Sequence, residues 1–514
     1  MSELTRSRLR ERFDSSWLLG QFILCRREDL IPAGWSRVAW GAGWLAHHET
    51  LPVLPIEVAG GEVLGWVLGY PIDGSGQLRG TGERLRWPSQ SAANWDAFEQ
   101  WLYDFGGRFA AVARIEGRTR FYLDPSGSLS AVYAPTHAVL AASSFLIPDD
   151  GGCHDDPSQV DAYRIFDSDH FYAFGLTGRK GVHRLLPNHY LDLDQWRAVR
   201  HWPNEGRARD LHPEEAIEAI AGPVRRAIAG ICARHRPCLA LTAGHDSRLL
   251  LACARAQVER LDLFTFAYDA KSRQDTRWAV RIARAMKLPH RVVGYVEPDE
   301  AEVAAWFYKT GACVGERRGV RAIRAFKALG TEQPILFGIV GDLVRGSEYW
   351  SKDDAADRRP DPVCLVRRLE LPVTPAGLSA AEQWRDSLPS MDGLEVLDWH
   401  YLEQRLGCWA GVWPYGYAEG RGFQLFPLNH RSVIEAMIRL PLEFRMGGRT
   451  FAMIVAALWP ELARFPYNQP VGWRRVTSWA RTCLPGWTRA RRMIRVLVPK
   501  QRRTASHSGA AIPS

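Results

Sequence analysis

LALTAGHDSRLLLA (239–252) is the stretch whose reading decides the fold. CLALT (238–242) has the length of a short buried strand, and SRLLLACARA (247–256) follows with the apolar spacing of a helix. Between them, Ala243 and Gly244 let the backbone turn sharply. The N–H groups of Thr242–Ser247 can then face one centre, and the next helix adds the partial positive charge of its N-terminus. Such a loop, at the carboxyl end of a strand, is where an open α/β sheet holds its ligand. Neither GxxxxGK[ST] nor GxGxxG occurs here. The residue types alone leave a plainer reading open. Asp246 also suits a helix N-cap, and Thr242 and Ser247 suit caps or turns. His245 suits contact with a phosphate, proton transfer near neutral pH, or a turn facing solvent.

Outward from this segment the rhythm is strand, helix, strand. LDLFTFA (261–267), HRVVGYV (290–296) and PILFGI (334–339) read as strands. TRWAVRIARAMK (276–287), with Trp278, Ile282, Ala285 and Met286 on one face, and RGVRAIRAFKAL (318–329) read as helices. Alternation of this kind implies an α/β fold with a parallel sheet covered by helices on both faces. Upstream, PEEAIEAIAGPVRRAIAGICAR (213–234) opens with Pro213 and two glutamates, as a helix N-terminus prefers, and Pro223 is expected to kink or split it. The chain before about residue 205 is β-rich. Strand patterns occupy 17–24, 60–73 and 107–135, with a turn at Glu116-Gly117 and a Pro-Asn turn inside 180–196. Residues 395–460 read as mostly helical.

Two blocks resemble the asparagine synthetase superfamily, which includes β-lactam synthetases and lasso-peptide cyclases. TAGHDS (242–247) is similar to its SGGxDS pyrophosphate loop, and FGIVGDLVRG (337–346) to its SGEGSDExxGG motif. The resemblance implies an N-terminal glutaminase-like (Ntn-type) sandwich over 1–205. It implies an ATP-pyrophosphatase domain with a helical C-terminal part over 210–480, then a basic tail, partly disordered, over 481–514. It assigns Leu241, Thr242, Ala243, Gly244, His245, Asp246, Ser247, Ala267 and Gly338 to the nucleotide. FTFAYD (264–269) would be the adenine-side strand, Asp275 an acidic residue just before a helix, and Gly346 a downstream glycine. Asp246 and Asp342 would bridge Mg²⁺ to the phosphates of ATP, with Asp246, Asp342 and Arg449 in catalytic roles. The implied activity is an AMP-forming amide ligase, in which a small-molecule or peptide carboxylate is adenylated and an amine then displaces AMP.

Three departures bear on that expectation. The glutaminase cysteine that follows Met1 in glutamine-using relatives is Ser2 here, about fifteen residues before the first strand. Ser2 therefore reads as a tail residue, and Cys25 as core packing. The two glutamates of SGEGSDE are Ile339 and Leu343. The family's late lysine has no clear counterpart, only Arg449 and Arg464 in its neighbourhood, and an arginine does not readily transfer a proton. Two alternatives stay open: a catalytically degenerate nucleotide-binding or regulatory homologue, and a glutamine-hydrolysing asparagine synthase proper.

The 514 residues suffice for two domains, and 46% apolar with 24% charged residues is ordinary globular usage. The 21 tryptophans are expected in the core and in grooves. Nine scattered cysteines without a CxxC pair argue against a disulfide framework or structural zinc. With no run of about 18 apolar residues and no apolar segment after the basic N-terminus, a cytoplasmic protein is expected. The net charge of +9 belongs to the C-terminus, where eleven Lys or Arg follow Glu461 without one acid. That tail suits a solvated end, or a basic helix meeting an acidic peptide or membrane surface. No nucleic-acid motif accompanies it.

Overall fold

The computed structural model describes residues 4–41, 43–88, 94–267, 270–315, 317–345, 360–420 and 422–468. Its first half is built from β1 (Phe22–Cys25), β2 (Ser36–Trp40), β3 (Gly43–His47), β4 (Val53–Glu57), β5 (Val63–Ile72), β6 (Leu85–Arg86), β7 (Gly106–Ile115), β8 (Arg118–Leu123), β9 (Val132–Ala134), β10 (Val139–Ala141), β11 (His183–Arg184), β12 (His189–Asp192) and β13 (Arg197–Arg200). They form two sheets, β11-β9-β10-β1-β3-β2 and β13-β12-β8-β7-β5-β4-β6, antiparallel apart from the β4–β6 pair. Glu116 (φ 52°) and Gly117 (φ 77°) turn β7 into β8, two successive left-handed residues as a tight hairpin requires.

The two sheets face each other. Phe22 of β1 stacks on Phe121 of β8 at 5.6 Å, and both belong to one core with Leu68, Ala110 and Val112. The opposite face of the second sheet is buried as well. Val67, Phe109 and Ala111, one residue out of phase with the first set, pack on Phe98 and Leu102 of α1 (Trp95–Tyr103). Burial on both faces explains why β7 reads as a near-continuous apolar run, since successive side chains point to opposite sides.

The second half holds five parallel strands: β14 (Cys238–Ala240), β15 (Asp262–Ala267), β16 (His290–Gly294), β17 (Ile335–Leu336) and β18 (Gln424–Leu425). Their order is β16-β15-β14-β17-β18. α2 (Pro213–Arg234) precedes β14, α3 (His245–Cys253) links it to β15, α4 (Ala270–Ala285) links β15 to β16, and α5 (Arg317–Leu329) leads into β17. The helical rhythm expected from the sequence is present, with two corrections. α2 runs unbroken through Pro223. α4 begins six residues before position 276, so that Asp275 lies inside it. The last strand, β18, lies in a segment read as mostly helical.

One buried polar joint between the two halves is at Glu403. It sits in a π-helical stretch, Tyr401–Trp409, and is completely buried. It accepts from Arg200 at 2.6 and 2.9 Å, from Asn188 Nδ2 at 3.2 Å and from Trp384 Nε1 at 2.6 Å. Burial would raise its pKa, but Arg200 outweighs that and holds it below the usual carboxylate value. Among the described residues no helix is long and apolar enough to cross a membrane.

Candidate functional site

The sheet order places a topological switch point at β14. Its two neighbours, β15 and β17, are reached by crossovers in opposite directions, which leaves a crevice beyond the carboxyl ends of β14 and β17. The two segments singled out in the sequence leave the sheet there: Thr242–Ser247 after β14, and Gly338–Asp342 after β17.

They meet at Asp246. A methyl group on Gly338 would lie 2.5 Å from Asp246 Cβ, and one on Gly341 would lie 2.5 Å from Asp246 Oδ1. Glycine at both positions is thus a steric requirement of the close approach. Asp342 follows Gly341 directly and opens the short helix α6 (Asp342–Arg345), while Asp246 lies in the first turn of α3. The loop that carries Asp342 thus packs directly on Asp246. The residue that caps α3 is Gly244, not Asp246.

Side chains brace the first loop internally. Ser247 Oγ accepts from the Thr242 N–H at 3.0 Å and pairs with Thr242 Oγ1 at 2.9 Å. The Gly244 N–H donates to Thr242 Oγ1 at 3.0 Å, and the Ala243 N–H donates to Asp275 Oδ1 at 3.1 Å. The sequence reading had these amides facing an anion. Here the amides of 242–244 hold the loop shape, which leaves the first turn of α3 as the end that presents N–H groups. On the β15 side, the Leu241 N–H donates to Phe264 O at 2.8 Å and Thr265 Oγ1 donates to Leu241 O at 2.6 Å. Ala267 ends β15 half-buried.

His245 is buried, against the solvent-facing alternative. Its ring stacks on Tyr467 at 4.1 Å with only 4° between planes, and Gly448 (φ 74°) is bare backbone against its other atoms. One turn on, the buried Arg248 guanidinium lies 4.1 Å from the Tyr467 ring centroid. Arg248 donates to Phe465 O at 2.6 Å, to Pro466 O, and to Ala243 O at 3.0 Å. Burial pulls its pKa down to about 10. The sequence reading missed this strap. The available signal was an arginine inside the apolar run after Ser247.

The second loop carries a strained residue. Val340 has φ 83° and is buried, a left-handed conformation that costs a β-branched residue roughly 1–3 kcal/mol. The turn is closed by Gly341 N–H to Gly338 O at 3.1 Å and Leu343 N–H to Val340 O at 2.9 Å. Ile339 is half-buried and packs against the hydrophobic core. Behind the loop, Arg445 donates to Leu343 O at 2.7 Å and forms a buried pair with Asp398 at 2.8 Å. Arg449 opens α7 (Arg449–Leu458), is exposed, and donates to Glu443 O at 3.4 Å. Its neighbour Gly448 places that helix end beside His245, while Arg464 is exposed.

Cys25 is buried at the end of β1, and burial pushes its thiol up to about 11, unsuited to nucleophilic work. Ser2, Gly346 and the basic tail lie outside the described residues. Among the described residues no cluster of three or more His, Cys, Asp or Glu is arranged to hold a metal. A two-carboxylate set fits Mg²⁺, which takes one or two carboxylates and completes its shell with waters and substrate phosphates. No family model matches the sequence, and no curated protein matches it.

Proposed function

We propose that the chain is an ATP-dependent, AMP-forming amide ligase whose nucleotide lies across the carboxyl ends of β14 and β17. The observation that carries this reading is the meeting of Asp246 with Gly338 and Gly341 at the switch point. It sets the first turn of α3 and the Asp246 carboxylate against the loop that carries Asp342, which supports a site for a metal-bound polyphosphate. Asp246 and Asp342 would hold Mg²⁺, which supplies charge neutralisation at the phosphates. The first turn of α3 orients the leaving pyrophosphate. A carboxylate oxygen bonds to the α-phosphorus as the bond to the bridging oxygen breaks. An amine then bonds to the acyl carbon, AMP leaves, and the amine proton passes to solvent or to the substrate.

Ile339 favours a second reading, that of a nucleotide-binding homologue without turnover, because an apolar side chain stands where the resembled motif has a glutamate. The two are separated by following pyrophosphate release from Mg·ATP with a panel of amino acids, short peptides and hydroxy acids. Release that depends on a carboxylate and disappears in Asp246→Asn supports the ligase. Nucleotide binding with no release from any carboxylate supports the second reading, and absence of both sinks the nucleotide site itself.

A further inference from the structure

Helix α4 carries four arginines on the side turned away from the sheet. At roughly 100° per residue, Arg273, Arg284, Arg277 and Arg281 fall within about 80° of one another around the helix, and the helical rise spreads them over about 16 Å. All four are exposed, whereas Trp278, Ala279, Ile282 and Ala283 on the opposite side are buried.

No acid shares this face. Asp275 is the one carboxylate of α4, and it is turned to the nucleotide loop, accepting from the Ala243 N–H at 3.1 Å. Among the described residues no carboxylate pairs with any of the four arginines. The contrast is with α5, where Arg324 and Lys327 are answered by Asp299, Glu302 and Glu419. Arginines four residues apart on a helix repel each other, so the stripe works against the stability of α4.

Exposed guanidinium groups suit carboxylates, which they meet with paired N–H donors. At ~3.3 Å per residue, the stripe matches about five residues of extended chain. Other polyanions fit less well. A helix that lies on a membrane buries an apolar face there, and the apolar face of α4 is already packed in the protein. Single-stranded nucleic acid stacks its bases on aromatic rings, and Trp278, the one aromatic residue of α4, is buried. Apart from its basic C-terminal tail the chain has a slight excess of acid, so a long polyanion overrunning the stripe would meet repulsion.

We propose that this face of α4 is a docking surface for an acidic segment of a polypeptide, whose carboxylates accept from Arg273, Arg277, Arg281 and Arg284. Docking needs no nucleotide, so the proposal stands apart from the ligase reading. The test is fluorescence anisotropy of the full chain with labelled hexaglutamate, with hexalysine and an oligothymidylate of the same charge as controls. Hexaglutamate is expected to bind saturably, more weakly as salt rises, and hexalysine not to bind. Arg277→Gln with Arg281→Gln is expected to weaken hexaglutamate roughly tenfold, and Arg273→Gln with Arg284→Gln comparably. Arg118→Gln with Arg197→Gln, an equal change of charge at exposed arginines elsewhere, is expected to leave it within about twofold. No saturable hexaglutamate binding overturns the proposal. So does hexalysine binding as tightly, or oligothymidylate binding more tightly and being lost with the stripe. Hexaglutamate binding that neither stripe variant weakens also overturns it, and would assign the peptide to the C-terminal tail.

Discussion

Asp246 has room for its position only because Gly338 and Gly341 lack side chains. Gly338→Ala is expected to push Asp246 aside, at roughly the 1–3 kcal/mol that an added methyl costs in a packed site, and to weaken nucleotide binding together with stability. Thermal unfolding with and without Mg·ATP measures both. A variant as stable as the parent with full ligand stabilisation would show that the two loops are not in contact. Asp246→Asn and Asp342→Asn keep the volume and remove the charge. Each is expected to leave the fold intact and to weaken Mg²⁺-dependent nucleotide binding by at least the roughly 10–100-fold that follows changes around metal ligands. At this scale the sequence was informative because the chemistry is local: TAGHDS carries its own turn, helix start and carboxylate in six residues. The fate of His245 was not readable, since its partner Tyr467 lies more than 200 residues away and meets it only through the fold.

Elements behave according to what packs on them more than according to propensity. In α2, Gly230 shows the conflict. Helix propensity alone says that Gly→Ala should gain about 1 kcal/mol. A methyl group there would lie 1.9 Å from the Gly76 carbonyl oxygen, so the turn at residues 73–77 packs backbone to backbone on the helix. The steric cost wins, and Gly230→Ala is expected to destabilise by roughly 1–3 kcal/mol in urea unfolding. A stabilised variant would mean that the turn and helix are further apart. The same priority of packing explains the two-residue strand β18: Gln424 and Leu425 pair with Ile335 and Leu336 within a largely helical stretch, a signal too short for periodicity to reveal. It also explains α2 itself, which continues through Pro223 because its buried face, including Ile220, Val224, Ile228 and Ile231, holds it in place on both sides of the missing N–H.

Across the whole molecule, three of the described histidines are buried with depressed pKa values. His400 falls to about 3 and His189 to about 4, each from burial first and neighbouring arginines second, and His201 falls well below its ordinary value for the same reasons. In the unfolded chain each would titrate near 6.5. The unfolded state therefore takes up protons first as pH falls. The stability these groups contribute is complete above about pH 6.5 and is lost from there downward until the folded values are reached. Each loses up to roughly 1.4 kcal/mol per pH unit, so destabilisation is expected between pH 6.5 and 5, before the carboxylates titrate. Urea midpoints at pH 7.5 and 5.5 check this, and equal midpoints would contradict it. The sequence showed the alternation of strands and helices that makes the α/β half, but not this histidine set or the Glu403 joint, which exist only once the two halves are packed together.

The nucleotide site is tested most directly by titrating the full chain with Mg²⁺ and an ATP analogue whose α–β bridge resists cleavage, in the wild type and in Asp246→Asn and Asp342→Asn. The account predicts one saturable, Mg²⁺-dependent site in the wild type, weakened at least tenfold in both variants while their unfolding midpoints stay near the parent's. No binding at millimolar nucleotide, or binding that neither substitution changes, would contradict it.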